Sequence, residues 1–272
     1  MSEKPPPDVA RQLAQHLESL RNAGVEFVPG ATPAEPKPAA PAPPRRLSAP
    51  TALPTVTAPP AIQTGLFATA PIESPPLTDG EQRLQALADL ARQVGQCVRC
   101  PQLASTRTQT VFGVGPLDPD VCFVGEAPGA EEDRTGEPFV GPAGQLLTRI
   151  IVASGLSREE VFICNILRCR PPGNRPPTPE EAGHCGEWLD KTLALVRPRY
   201  LVALGGTAAT HLLGTSVGIT RLRGKFYEYR GIPVLCTFHP SYLLRSPEKK
   251  KEVWEDMKTL LASLGRPIPG KG

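Results

Sequence analysis

Four short apolar runs constrain this chain most: VCFVG (121–125), VFICNIL (161–167), YLVALG (200–205) and PVLCTF (233–238). Each is too short for an ordinary helix and lacks the polar alternation of a strand with one wet face. A strand apolar on both faces must be covered on both faces. The segments between them supply cover, with helical patterns in GQLLTRIIVASG (144–155), EEAGHCGEWLDKTLALV (180–196) and GTAATHLLG (206–214). Strands alternating with helices predict an α/β fold built on a parallel sheet. One helix start is well marked. In Thr178-Pro179-Glu180-Glu181 the threonine can cap, proline suits the first turn, and Glu181 takes the capping-box position. A further helical stripe, Leu84, Leu87, Leu90 and Val94, runs into Cys97.

Ligands of open parallel sheets bind beyond the carboxyl ends of the strands. The first run ends in Gly125-Glu126-Ala127-Pro128-Gly129 and the second carries Asn165 near its end. The third ends in Gly205-Gly206 and the fourth leads into His239-Pro240-Ser241. A carboxylate, an amide and an imidazole are therefore expected on one rim.

The N-terminal part differs in composition. Of the 34 prolines in 272 residues, 14 fall between Pro29 and Pro76. Residues 29–78 read as an extended, disordered linker, because such a segment buries too little apolar surface to offset its ordering entropy. Residues 1–28 hold a short amphipathic helix over 8–22, with Val9, Leu13, Leu17 and Leu20 on one stripe. That stripe docks on its own domain, frays, or serves as a tethered helix for a protein partner. Residues 79–272 form the globular domain. The net charge of +3 permits a polyanionic partner without demanding one. No run approaches the roughly 18 apolar residues of a membrane helix. MSEKPPPDVARQ also lacks the apolar core of a secretory signal, so a cytoplasmic protein that makes no membrane contact is expected.

In a reducing compartment, seven cysteines point to metal ligation sooner than to a disulfide framework. Cys97 and Cys100 form a C-x2-C pair, and Cys169 and Cys185 have fifteen residues between them. Two distant pairs suit a four-thiolate site, and spacing alone leaves zinc and iron–sulfur both open. Cys122, Cys164 and Cys236 fall inside the apolar runs and are expected in the core.

Gly125-Glu126-Ala127-Pro128-Gly129-Ala130-Glu131-Glu132-Asp133, followed by Thr135-Gly136-Glu137-Pro138-Phe139-Val140-Gly141, resembles the first motif of the family 4 uracil-DNA glycosylases. The stretch from Asn165 through Cys169 to Arg175 is similar to the middle motif, and His239-Pro-Ser-Tyr-Leu-Leu-Arg245 to the last. The likeness covers roughly residues 81–265, cysteine spacing included. It implies a three-layer α/β/α sandwich around a four-stranded parallel sheet, and a [4Fe-4S] cluster on Cys97, Cys100, Cys169 and Cys185 that braces the site. A basic insertion after the first motif, the mark of a related group that traps uracil-DNA covalently, does not occur here, and turnover is expected. Nothing in the resemblance accounts for residues 1–78.

The chemistry this implies is hydrolysis of a glycosidic bond to uracil that has been flipped out of DNA. Cleavage leaves positive charge on the sugar and negative charge on the base, so the site needs a hydrogen-bond donor at a uracil oxygen and an anion or activated water near the sugar. His239 is the expected donor, as a neutral imidazole, and Glu126 the carboxylate that orients or deprotonates water. Gly125, Ala127 and Pro128 complete the first wall of the uracil site, and Phe139 is expected to stack on the base. Asn165 can donate to and accept from the uracil edge. The resemblance places Glu132 near the position where thymine carries its methyl group. Leu243 or Leu244 is the candidate wedge, with core packing the alternative for each, and Arg245 is a phosphate contact. Arg168, Arg170 and Arg175, and the group Arg221, Arg223 and Lys225, are further candidates for phosphate contact, whereas Lys249-Lys250-Lys251 reads as a solvated helix end. His184, beside Cys185, is expected behind the ligands or at the surface, and His16 and His211 are expected to be structural.

The expected partner is uracil-containing DNA, single- or double-stranded, with the protein acting as a monomer. Two alternatives are a non-catalytic uracil- or DNA-binding module of the same fold and an iron–sulfur redox protein. The pairing of Glu126 with His239 disfavours the first, and a rim suited to DNA disfavours the second.

Overall fold

The computed structural model describes residues 80–270. The helix expected over 8–22 and the linker expected over 29–78 lie outside the described residues. All four apolar runs are strands: β1 (Val121–Gly125), β2 (Phe162–Asn165), β3 (Tyr200–Leu204) and β5 (Ile232–Thr237). They pair in parallel in the order β2-β1-β3-β5. A fifth strand, β4 (Phe226–Tyr229), pairs antiparallel with β5 at the edge, which corrects the expected four-stranded sheet. The two strands meet through a two-residue turn in which Arg230 and Gly231 both have positive φ (49° and 83°), the backbone that matches the twist of a tight hairpin.

Helices cover both faces. The described helices are α1 (Gly80–Gly95), α2 (Pro101–Thr106), α3 (Ala130–Thr135), α4 (Pro142–Ala153), α5 (Pro179–Val196), α6 (Gly205–Leu213), α7 (Ile219–Leu222), α8 (Pro240–Arg245) and α9 (Lys250–Leu264). Alternation along β1 divides the core. Cys122 and Val124 pack with Leu189 and Leu193 of α5 and Leu212 of α6. Val121 and Phe123 pack on the other face with Leu147 and Ile151 of α4 and Leu260 of α9. Cys164 and Cys236 join Cys122 in the buried core, as expected of small apolar strand residues.

The Thr178 capping box forms: Thr178 Oγ1 accepts from the Glu181 amide at 3.2 Å, and the Glu181 carboxylate accepts from the Thr178 amide at 2.9 Å. The stripe on α1 is only partly buried. Leu90 and Val94 are buried, but Leu84 is 55% exposed. Arg83 turns inward in its place, because its guanidinium finds the Leu195 carbonyl at 2.6 Å and the Asp118 carboxylate at 2.7 and 2.9 Å.

The outer edge of β2 is covered as well. Val114 forms an antiparallel bridge with Ile163, flanked by Gly113 and Gly115 at φ of 133° and 144°. A Cβ on Gly115 would stand 2.4 Å from the Val161 carbonyl oxygen, so this close approach requires glycine.

Candidate active site and cysteine cluster

Strand register assembles the rim. Gly125 of β1 pairs with Asn165 of β2, and Leu204 of β3 with Thr237 of β5, so the residues that follow emerge side by side. They open onto a cavity of about 440 Å³ lined by Glu126, Ala127, Pro128, Glu132, Phe139, Asn165, His239 and Arg245, among others. Gly125 lies against the same space: a Cβ there would stand 2.4 Å from both Asn165 Oδ1 and the Phe139 ring. Gly205, at φ 90°, lets the chain pass beneath His239, since its Cβ would stand 2.8 Å from that of His239.

Asn165 is 1% exposed, and its Oδ1 has no hydrogen-bond partner. Burying such an acceptor costs about 1–3 kcal/mol, so an unsatisfied amide lining a cavity points to a ligand.

His239 is held by its own loop. Its Nδ1 lies 3.1 Å from the Ser241 amide nitrogen and 2.7 Å from Ser241 Oγ. A backbone N–H can only donate, so Nδ1 accepts, and the proton of the neutral ring is assigned to Nε2. Burial, then the nearby Arg245 charge, lowers its pKa to about 4, partly opposed by Glu132. The imidazole is therefore neutral near pH 7, with a fixed N–H donor. The Glu126 carboxylate makes no hydrogen bond or ion pair among the described residues, which leaves it able to hold a water.

Phe139 is buried, its ring centroid 5.8 Å from that of His239 with a 36° tilt. Its φ of 55° is left-handed, a strain of about 1–3 kcal/mol for a residue that is not glycine. The Glu132 carboxylate accepts from the Gly129, Val140 and Gly141 amides, each at 3.0 Å. Glu132 thus lines the cavity while binding the loop that carries Phe139, a contact its sequence position did not suggest.

Two candidate DNA contacts need correction. Leu243 is fully buried among the residues packed on α4 and α9, so only Leu244, 45% exposed, can reach a partner. Arg168 is also buried, donating to the Phe112 carbonyl and Thr192 Oγ1, and is a structural cation. Arg175 is bound by Glu181 in bidentate fashion at 2.6 and 2.8 Å, and Arg223 by Asp256. Arg170 donates to Asn174, while Arg221 and Lys225 are exposed. Arg245 lies at the outer rim of the cavity with no acceptor among the described residues. His211 Nδ1 contacts the Thr207 carbonyl oxygen at 2.7 Å, within its own helix. His16 lies outside the described residues.

The structure gathers all four expected ligand cysteines. Cys100 precedes α2, and it packs with Leu103, Leu167, Cys169 and Cys185, while Cys97 packs beside Val94 and Trp188. The Cys100 thiol is pushed up to about 11, by burial first and then by the Cys185 and Cys169 sulfurs, Glu181 and Cys97. Arg107 donates to Cys169 Sγ at 3.1 Å, and His184 Nδ1 lies 3.5 Å from Cys100 Sγ. The guanidinium of Arg99, within the C-x2-C loop, stacks on Trp188 of α5 at 4.3 Å. A single zinc ion would need its sulfurs about 2.3 Å from one point. Among the described residues no three candidate ligands converge to hold one ion. Four cysteine thiols in one neighbourhood are, by their chemistry, a donor set that an iron–sulfur cluster takes.

Residues 112–258 match the family model described as the uracil DNA glycosylase superfamily. The Type-4 uracil-DNA glycosylase of Thermotoga maritima is 47% identical over 180 residues, which span 65% of this chain and 93% of that protein. The Type-4 enzyme of Archaeoglobus fulgidus is 40% identical over 68% of this chain and 97% of its own length. A Type-5 uracil-DNA glycosylase from Pyrobaculum aerophilum is 32% identical over 57% of this chain and 82% of its own. The matched region carries every strand of the sheet and every side chain of the rim, so this chain belongs to the uracil DNA glycosylase superfamily.

Proposed function

We propose that the protein removes uracil from DNA by hydrolysing its N-glycosidic bond, leaving an abasic site for base excision repair. The observation that carries this reading is the buried, unpartnered Asn165 amide oxygen in a cavity that also holds an aromatic ring and a neutral imidazole donor. Uracil offers N3–H and O4 side by side. The Asn165 amide accepts from the first and donates to the second, a pairing that cytosine reverses. Phe139 stacks on the flipped base. Glu132, fixed by three amides, is a rigid wall against the thymine methyl group.

As the bond between C1′ and N1 breaks, electron density moves onto the uracil ring. His239 Nε2–H donates to the developing oxyanion without giving up its proton, an interaction that strengthens only as charge develops. Glu126 orients the water that attacks C1′ and accepts its proton. Arg245 holds a DNA phosphate, and Leu244 fills the gap left in the base stack. Cys97, Cys100, Cys169 and Cys185 hold a [4Fe-4S] cluster. When bound, it supplies a rigid cross-link between the loop after α1, the segment after β2, and α5.

The direct test is incubation of the purified protein with a labelled uracil-containing oligonucleotide, followed by alkali to break abasic sites. Strand breaks at uracil alone are expected, and intact strands would refute the activity.

The lowered His239 pKa has two consequences. The ring stays neutral above its pKa of about 4, so the rate of uracil release shows no histidine inflection between about pH 5 and about pH 8. An inflection near neutrality that vanishes in His239→Gln would refute the neutral donor. Stability follows the same shift. Between the folded value of about 4 and the ordinary histidine value of 6.5 the unfolded chain binds more protons. This contribution to stability is complete above the unfolded pKa and is lost as pH falls toward the folded one. Denaturant unfolding at several pH values reads it.

A further inference from the structure

We propose that Arg158, outside the cavity, is a positioning residue for base recognition: it fixes the backbone of Phe139 in the conformation that presents the ring. This inference rests on the uracil reading above and deepens it. Arg158 sits in the short 3-10 turn Arg158–Glu160 that precedes β2. Its guanidinium reaches back to the loop, with Nη2 donating to the Pro138 carbonyl at 2.6 Å and Nη1 to Thr148 Oγ1 of α4 at 3.3 Å. Glu137 stands 3.4 Å away as a counter-charge. On the other side of Phe139, the Glu132 carboxylate takes the Val140 and Gly141 amides. The residues before and after the left-handed Phe139 are therefore both held, by a cation on one carbonyl and an anion on two amides.

Behind the loop, α4 removes the remaining freedom. A Cβ on Gly144 would stand 1.9 Å from the Phe139 carbonyl oxygen, so the helix abuts the Phe139 backbone itself. A left-handed non-glycine residue persists only where its surroundings over-determine it. Of the two clamps, Glu132 lines the cavity, and its loss would disturb the wall as well as the loop. Arg158 does not line the cavity, so it isolates the positioning effect.

The test is a double-mutant cycle on Arg158→Ala and Phe139→Ala, with Arg158→Lys as the conservative variant. Lysine keeps the charge but cannot serve Pro138 and Thr148 together. Three quantities are read: kcat and KM on a uracil-containing single strand, affinity for a strand bearing a base-less abasic analogue, and amide hydrogen exchange of residues 139–141 in the absence of DNA. Arg158→Ala should lower kcat/KM by about tenfold, the scale of one lost base–aromatic stack. Affinity for the abasic strand should stay unchanged, since no base is there to stack. Exchange at Val140 and Gly141 should quicken, with Arg158→Lys intermediate. In the double variant, Arg158→Ala should add nothing to Phe139→Ala, because both act through one ring. Additive losses, or unaltered exchange in the loop, would overturn the proposal. If Arg158→Ala does not fold, the same cycle run with Arg158→Lys decides it. A wild-type protein that releases no uracil refutes the activity instead, and the exchange measurement still judges the clamp.

Discussion

Glu126→Ala and His239→Ala are each expected to slow uracil release by about 10²–10³-fold in single-turnover experiments, with little change in affinity for uracil-containing DNA. In the proposed mechanism both side chains act on charge that exists only in the transition state: His239 on the oxyanion of the departing base, Glu126 on the attacking water. Ground-state contacts come instead from Phe139, Asn165 and Arg245, which both variants retain. The loss should therefore fall on kcat and spare KM. The two effects should not multiply fully, since a developing oxyanion and a water attacking the sugar belong to one transition state. Near-wild-type rates for both variants would remove the roles assigned here. Weakened DNA binding with an unchanged chemical step would make these residues binding groups only.

The second large effect is expected at the cysteines. Cys169→Ala should lose bound iron and the brown colour of the protein, and unfold at markedly lower denaturant concentration, because metal binding and folding are coupled. It should also impair uracil recognition. Cys169 follows Asn165 by four residues, and between them Ile166 and Leu167 donate their amides to the Gly125 and Glu126 carbonyls. A loosened Cys169 therefore reaches the amide proposed to read the base and the strand end that carries the Glu126 carboxylate. Cys236→Ala serves as the control. It deletes a buried thiol from the core of the sheet, far from the other cysteines in sequence, and should cost some stability while leaving iron content intact. Full iron in Cys169→Ala would remove that residue from the ligand set. Iron loss in Cys236→Ala would show that core damage alone expels the metal.

The parts of the molecule that follow from period and composition were legible in the sequence. Four buried strands announce themselves as unbroken apolar runs, and the capping box of α5 is written in Thr178 and Glu181. The rim was legible because strand ends are where an open parallel sheet places its ligands. β4 was harder, since FYEY carries a glutamate and two tyrosines; the turn signal in Arg230-Gly231 was its only local mark. The leucine pair could not be divided from sequence, because adjacent residues on a one-turn helix point to different sides, and only packing on α4 and α9 makes Leu243 the buried one. The ion pairs of the arginines were hidden for a related reason. A guanidinium forms the same fork with a carboxylate as with a phosphate: Arg175 takes Glu181, six residues on, and Arg223 finds Asp256, which no local pattern links to it. The clamp on Phe139 was invisible too, since Arg158 lies twenty residues from the carbonyl it holds.

The two outermost strands set how molecules of this protein can meet one another. A bare strand edge is a template on which another chain can pair and aggregate. β4 turns back on β5 through its tight hairpin and occupies one edge, while the Val114 bridge, made possible by the close approach of Gly115, lies along the other. Extension of the sheet from copy to copy is thereby obstructed at the β2 end, whereas β4 is itself the last strand at the other. The edge beside β2 matters more, because a neighbour added there would sit against the strand that carries Asn165. In solubility terms, the Val114 bridge that Gly115 permits is a gatekeeper on the strand that carries Asn165.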